Sequence, residues 1–182
     1  MFIDIVFPKN NEEEFLEIAE KLGSKLCFAY TEKEFKKKKE KYEFACCYNS
    51  NTKDAFVISD RAERGSFENS RINLIFDLEK SPSNDRIHQR ESGFNHILAK
   101  ITKEKNKFIG FNFSLILNTD TKERARLLGR MMQNVKICRK YKVNIYVGSF
   151  AREPYELRGF SELRSFGVCL GMNPGEMKEL KL

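Results

Sequence analysis

The chain has 182 residues, 41% hydrophobic and 32% charged, with 33 Lys+Arg against 26 Asp+Glu and a formal net charge of +7. Its 16 Phe and many Ile, Leu and Val residues exclude a disordered chain, and no run of about 18 apolar residues exists to form a membrane helix. The opening MFIDIVFPKNNEEE lacks the basic start and long apolar stretch of a secretory signal, so a soluble cytoplasmic protein is expected, and the basic excess points to a polyanionic partner.

FIDIVF (residues 2–7) is a continuous apolar run whose Ile, Val and Phe content predicts a strand covered on both faces. Asn10 or Asn11 then precedes Glu12, Glu13 and Glu14, acids suited to the positive end of a helix dipole. Phe15, Ile18, Ala19 and Leu22 continue that helix at helical spacing, up to a cap at Gly23. KLCFAY (25–30) predicts a second strand, and Thr31 opens a very polar helix, TEKEFKKKKEKY. FACCY (44–48), AFVIS (55–59) and INLIFDL (72–78) predict three more strands, with at best one short helical turn between Arg61 and Ser70. A helix over roughly 94–106, a strand at FIGFNF (108–113), a helix over 122–142, a strand at NIYVGS (144–149) and a helix over 156–171 complete the series.

Alternation of about seven strands with helices implies a parallel sheet, either doubly wound or closed as a barrel. A (β/α)8 barrel has typically about 250 residues, with about 200 near the lower end, so a barrel of this length has crossover helices shortened or missing. No repeat and no Pro- or Gly-rich linker divides residues 1–182, which are expected to form a single domain. The five cysteines (Cys27, Cys46, Cys47, Cys138, Cys169) are odd in number and lack C-x-x-C spacing, so buried free thiols are expected rather than a disulfide framework or zinc site.

Positive charge is concentrated. Residues 122–142 hold eight basic side chains against one acid, Glu123, an excess equal to that of the whole chain. At about 100° per residue, Leu127, Leu128, Met131, Met132, Val135 and Cys138 gather on one face, and Lys122, Arg126, Arg130, Lys136 and Lys140 on the other, with Gln133 among them. Arg126 and Arg130 suit bidentate phosphate contacts, and Lys100, Lys136 and Lys140 suit point-charge contacts. The stretch DRIHQRESGFNHILAK interleaves Arg86, His88, Arg90, His96 and Lys100 with Gln89, Ser92 and Asn95, a mixture suited to sugar–phosphate recognition. Lys36–Lys39 is a weaker cationic run, flanked by Glu32, Glu34 and Glu40.

Catalytic motifs are absent from the sequence. No H-x-H, H-E-x-x-H, G-x-S-x-G or phosphate loop occurs. Asp60 and Asp77 near strand ends, with Asp4, Glu79 and Asp85, are the carboxylates from which an acidic metal site is conceivable, and Ser149 reads as a turn residue.

The stretches HQRESGFNHILAK, FIGFNFSLIL, RARLLGRMMQNVKICRKYKVNIYVGS and LRGFSELRSFGVCLGM, in that order over about residues 72–172, closely resemble the ribonuclease P protein component 3 family. The resemblance implies a compact, irregular TIM-like (β/α) barrel related to metal-dependent phosphoesterases but lacking their metal ligands. It also implies an RNA-binding subunit of the ribonucleoprotein that removes 5′ leaders from precursor tRNA, in which the RNA performs the Mg²⁺-dependent hydrolysis. The expected partners are the ribonuclease P RNA, protein component 2 and other protein subunits, with precursor tRNA indirectly and no membrane. The candidate RNA contacts are Arg86, His88, Arg90, Asn95, His96, Lys100, Lys122, Arg126, Arg130, Lys136, Lys140 and Arg158, with no catalytic residue, metal ligand or bound cofactor assigned to this chain. The sequence departs from the family at VGSFAREPYELRG, where Phe150 stands in a stretch usually made of small residues, and it is short for the family. The alternative is a metal-dependent phosphoesterase on the same barrel.

Overall fold

The structure, a computed structural model, describes residues 2–53, 55–86 and 89–180. Seven strands form: β1 (Ile3–Val6), β2 (Lys25–Tyr30), β3 (Ala45–Tyr48), β4 (Val57–Ser59), β5 (Leu74–Phe76), β6 (Phe108–Asn112) and β7 (Asn144–Gly148). They lie within the seven runs that apolar content marks out, shortened at their ends where the chain turns. All neighbours are parallel and spatial order follows chain order, β1 to β7. A doubly wound sheet reverses its order at a switch point, so this sequential order decides for the barrel.

Among the described residues seven α-helices surround the strands: α1 (Glu12–Leu22), α2 (Glu32–Lys38), α3 (Arg64–Glu68), α4 (His96–Glu104), α5 (Phe113–Leu117), α6 (Thr121–Tyr141) and α7 (Phe160–Cys169). Gly23 closes α1 in the left-handed conformation (φ 63°), donating its N–H to Glu20 O, and a capping box between Thr31 and Glu34 opens α2. The compression expected from chain length falls on two crossovers. A loop joins β3 to β4, and β4 reaches β5 through a five-residue helix. One helix went unseen in the sequence. FSLIL continues an apolar run, but Asn112 Oδ1 accepts the Leu115 N–H (3.0 Å) and starts α5 there.

Among the described residues β7 and β1 carry no ladder between them, yet two sets of contacts close the seam and a third segment covers the edge of β7. Val6 bridges Ala151, with Phe7 N–H donating to Ala151 O at 2.8 Å. Met177 bridges Ile145 on the free edge of β7. Between them the Tyr146 hydroxyl donates to Ile3 O (3.0 Å) and accepts from Ile5 N–H (3.1 Å), replacing ladder bonds that buried backbone groups otherwise lack. Gly148 makes this possible, because a Cβ there would stand 2.6 Å from the Tyr146 ring.

Four cysteines are buried as expected, and Cys46 and Cys47 are inaccessible on opposite faces of β3. Cys169 is exposed, which corrects the expectation of uniformly buried thiols: it is the last residue of α7 and faces away from the barrel.

Candidate nucleic-acid interface

The carboxyl ends of barrel strands are where this architecture ordinarily keeps a site. Here that end is filled. Phe150 is 1% exposed and stacks on Phe76 (centroids 4.6 Å apart, planes at 16°), with Tyr146 edge-on at 5.7 Å. Phe7 and Tyr48 extend the cluster. Gly110 leaves the space, since a Cβ there would lie 3.0 Å from both the Phe150 ring and Phe76 Cβ. Phe150 sits at φ 49°, a left-handed conformation that a bulky residue adopts only when its surroundings enforce it. The departure noted in this loop is thus an aromatic plug.

The five carboxylates of the phosphoesterase alternative are engaged separately. Asp60 accepts from Tyr48 and Asn49, and although burial works to raise its carboxyl, those hydrogen bonds hold it below the usual value. Asp77 is held by Asn112 (2.8 Å) and Lys80 (2.6 Å). Burial pushes Asp4 up to about 7 while the Ser149 N–H donates to it at 2.8 Å. That bond places Ser149 as a turn residue against β1. Burial likewise pushes Glu79 up to about 7, and Asp85 belongs to Arg130. Among the described residues no three His, Cys, Asp or Glu converge as metal donors, and the alternative has no support.

The basic residues converge instead on the barrel's flank, where α4 packs on α6 and a strap, described over residues 81–86 and 89–91, lies against α6. Arg130 anchors the strap and corrects the helical projection. Arg130 and Met132 flank Met131 by one residue, about 100° to either side. The projection places the arginine outside and the methionine inside, whereas Arg130 is fully buried and Met132 is 42% exposed. The strap supplies the reason. Arg130 Nε donates to Asp85 Oδ1 (2.8 Å), Nη1 to the Glu79 and Ser81 carbonyls (2.7 Å each) and Nη2 to the Ser83 carbonyl. A guanidinium with its charge paired and four acceptors supplied tolerates burial. Asn134, also buried, donates to Glu79 Oε1 (2.7 Å) and accepts from the Ser92 hydroxyl (2.6 Å).

On this anchor the strap's backbone is clamped. Gln133 donates to Arg90 O (2.7 Å) and accepts the Arg90 N–H (3.0 Å), while Asp85 accepts the Glu91 N–H (2.9 Å). Burial works to raise the Asp85 carboxyl, but the hydrogen bonds from Arg130 and Glu91 hold it below the usual value, so it stays ionised. The result is an open cleft of about 510 Å³ lined by Asp85, Arg86, Gln89, Arg90, Gly129, Met132, Gln133 and Lys136.

The predicted contacts divide accordingly. Arg86 and Arg90 reach the cleft from the strap and Lys136 from α6. Lys122 and Lys140 are exposed on α6, and His96 and Lys100 on α4. Asn95 is the N-cap of α4, its Oδ1 accepting from Ile97 and Leu98 N–H groups. Arg126 is half-buried against Glu123, so of the two arginines expected as bidentate ligands one is paired and the other buried. Arg158 donates to Tyr155 O and Leu157 O and lies over the Phe113 ring, away from the lining of the cleft. His88 lies outside the described residues. In the weaker run, Lys36 pairs with Glu32 and Lys38 with Glu12. Gly129 and Met132 line the cleft and Lys103, Lys142 and Lys178 share a second flank cavity, although none of the five is among the predicted contacts. A glycine inside a cationic helix was the available signal for the first.

No helix among the described residues is long and apolar enough to cross a membrane. Ribonuclease P protein component 3 of Thermococcus kodakarensis is 33% identical over 90 residues, covering 50% of this chain and 41% of that protein. The Methanosarcina acetivorans protein of the same name is 27% identical over 132 residues, covering 71% and 52%. The chain thus matches about half the length of these relatives or less. In three dimensions it superposes on a chain of the cryo-EM structure of archaeal ribonuclease P with mature tRNA, with a TM-score of 0.70, 19% identity, and 91% of this chain and 82% of that chain covered. The likeness is one of fold. The family model described as RNase P subunit p30 matches residues 73–180, the part that contains the strap, α4, α6 and α7, and the chain belongs to that family.

Proposed function

We propose that this chain is a non-catalytic RNA-binding subunit of ribonuclease P, in which the RNA carries out the Mg²⁺-dependent removal of 5′ leaders from precursor tRNA. The chain assists the folding and activity of that RNA together with protein component 2, works in the cytoplasm and binds no cofactor of its own. The observation that carries this reading is the cationic flank formed by the strap, α4 and α6, supported by family membership. Cations of the strap (Arg86, Arg90) and of α6 (Lys136) meet around an open cleft, with His96 and Lys100 exposed on α4, whereas the barrel mouth is packed shut. Structured RNA is recognised through phosphates, shape and 2′-hydroxyls, for which a broad basic surface suffices. Positive charge on that surface lowers the repulsion between closely packed phosphates, so less Mg²⁺ is needed to hold the RNA folded.

Lys100→Ala combined with Lys136→Ala tests the reading, because both side chains are exposed and neither anchors the fold. In the reconstituted complex the double variant is expected to need more Mg²⁺ for half-maximal cleavage while its thermal midpoint stays unchanged. An unchanged Mg²⁺ profile would sink the assignment of this flank.

A further inference from the structure

The clamp on Arg90 does more than hold a charge at the surface. A Cβ built on Gly129 would stand 2.4 Å from Arg90 Cζ, and 2.7 Å from both Nε and Nη1. Because Cζ is nearer than the two nitrogens beside it, the Gly129 Cα–H direction meets the face of the guanidinium and not its edge. One face of the plane therefore rests on α6. Asp85 Oδ2 lies 3.4 Å from Nη1 along the edge, and Gln133 brackets the backbone of the same residue. The Arg90 side chain remains 46% exposed and borders the cleft, so its second face is open.

An arginine serving as a plain phosphate ligand needs none of this. A phosphate is met by the N–H edge, and a mobile side chain reaches it readily. A planar cation pinned flat on a helix offers a π-stacking platform, the use to which arginine planes are put against splayed bases in RNA. The surroundings suit that ligand. Met132 supplies an exposed thioether beside the platform, Gln89 an exposed amide for a base edge, and Lys136 a cation for the flanking phosphate. The cleft's 510 Å³ lies within the roughly 300–1,000 Å³ of small-molecule sites and is ample for one nucleotide.

We infer that the open face of Arg90 stacks an unpaired nucleobase, so that this cleft takes a bulged or splayed nucleotide of RNA in preference to continuous duplex. The inference rests on the RNA-binding reading and specifies its ligand. A peptide aromatic is the competing occupant, but among the described lining residues Met132 is the one large exposed apolar side chain, beside Arg86, Arg90 and Lys136. Arg86 pairs with Glu91 and Arg90 with Asp85; a lining this polar, with Lys136 as a cation outside these pairs, favours a nucleotide.

The test compares the binding of two hairpin RNAs to the full chain, identical except that one carries a single unpaired adenosine in its stem. The bulged RNA is expected to bind about tenfold more tightly, the lower part of the range for one stacked base. Gly129→Ala displaces the guanidinium while improving helix propensity, so it is expected to reduce the preference to less than about threefold with no loss in thermal midpoint. Arg90→Lys keeps the charge without the plane and is expected to do the same. Equal binding of both RNAs by the wild-type chain would overturn the inference and leave the RNA-binding reading standing, as would a preference that survives both substitutions. Failure to bind either RNA would overturn both.

Discussion

The mouth of the barrel and its α4–α6 flank have opposite interiors. At the mouth, rings of Phe7, Tyr48, Phe76 and Phe150 pack against one another and the strand-end carboxylates are each tied to a neighbour. At the flank, beside the apolar residues by which α4 and α6 pack, a guanidinium, an amide and a carboxylate are buried together and fasten an irregular strap onto a helix. Apolar packing is indifferent to direction and fills space. A hydrogen-bonded network fixes position, which is what a surface meant to present Arg86 and Arg90 in one arrangement requires. In this barrel the open, cation-lined cleft lies on the outside of α6 and not at the ends of the strands.

The sharpest way to break the comparison is Arg130→Ala. It takes from Asp85 its buried ionic partner and from the Glu79, Ser81 and Ser83 carbonyls their guanidinium donor, and about 3–5 kcal/mol of stability is expected to go, the range for removing one partner of a buried charge pair. Urea unfolding measures it, and a loss below about 1 kcal/mol would mean the strap is held elsewhere. Phe150→Ala opens a cavity at the mouth and is expected to cost about 3 kcal/mol, at the low end for aromatic truncation. RNA affinity is expected to stay unchanged, which separates the two regions; a weakened affinity would tie the mouth to binding.

Proton linkage gives a smaller contrast. Glu79, ordinarily near 4.5 and pushed up to about 7 by burial, binds its proton more tightly in the folded chain than in the unfolded one. Its contribution is therefore full below about pH 4.5 and is lost as pH rises through 7. Between pH 5 and pH 8 the wild-type chain is expected to lose about 2 kcal/mol that the Glu79→Gln variant does not lose. Equal pH slopes for the two chains would count against a carboxyl buried beneath the strap. The smallest effect on stability belongs to Lys136→Ala, expected within about 0.5 kcal/mol of wild type. The slope of log affinity against log salt is expected to shrink by about one, as one phosphate contact is lost.

Much of the architecture was legible before the fold was seen. Seven runs such as KLCFAY and NIYVGS became the seven strands because strands buried on both faces must be continuously apolar, whatever their neighbours. Helix ends were equally local: Gly23 caps α1 and Thr31 with Glu34 opens α2 through contacts within a few residues. The site was legible only in part. Clustered charge pointed to α6, which lines the cleft, but α5 lies hidden in an apolar run and Asn95 serves as a helix cap.

The strand count, the caps of α1 and α2, the family resemblance and the place of the basic excess could all be read from the amino acids alone, since each depends on residues near one another in the chain. The tertiary structure decided which face of α6 is inside. Burying Arg130 is costly alone and becomes tolerable only when carbonyls of Glu79, Ser81 and Ser83 and the Asp85 carboxylate, some 45–51 residues away, arrive together. It also decided that Arg90 lies flat, because Gly129 accepts that plane only once the strap has been fastened across it.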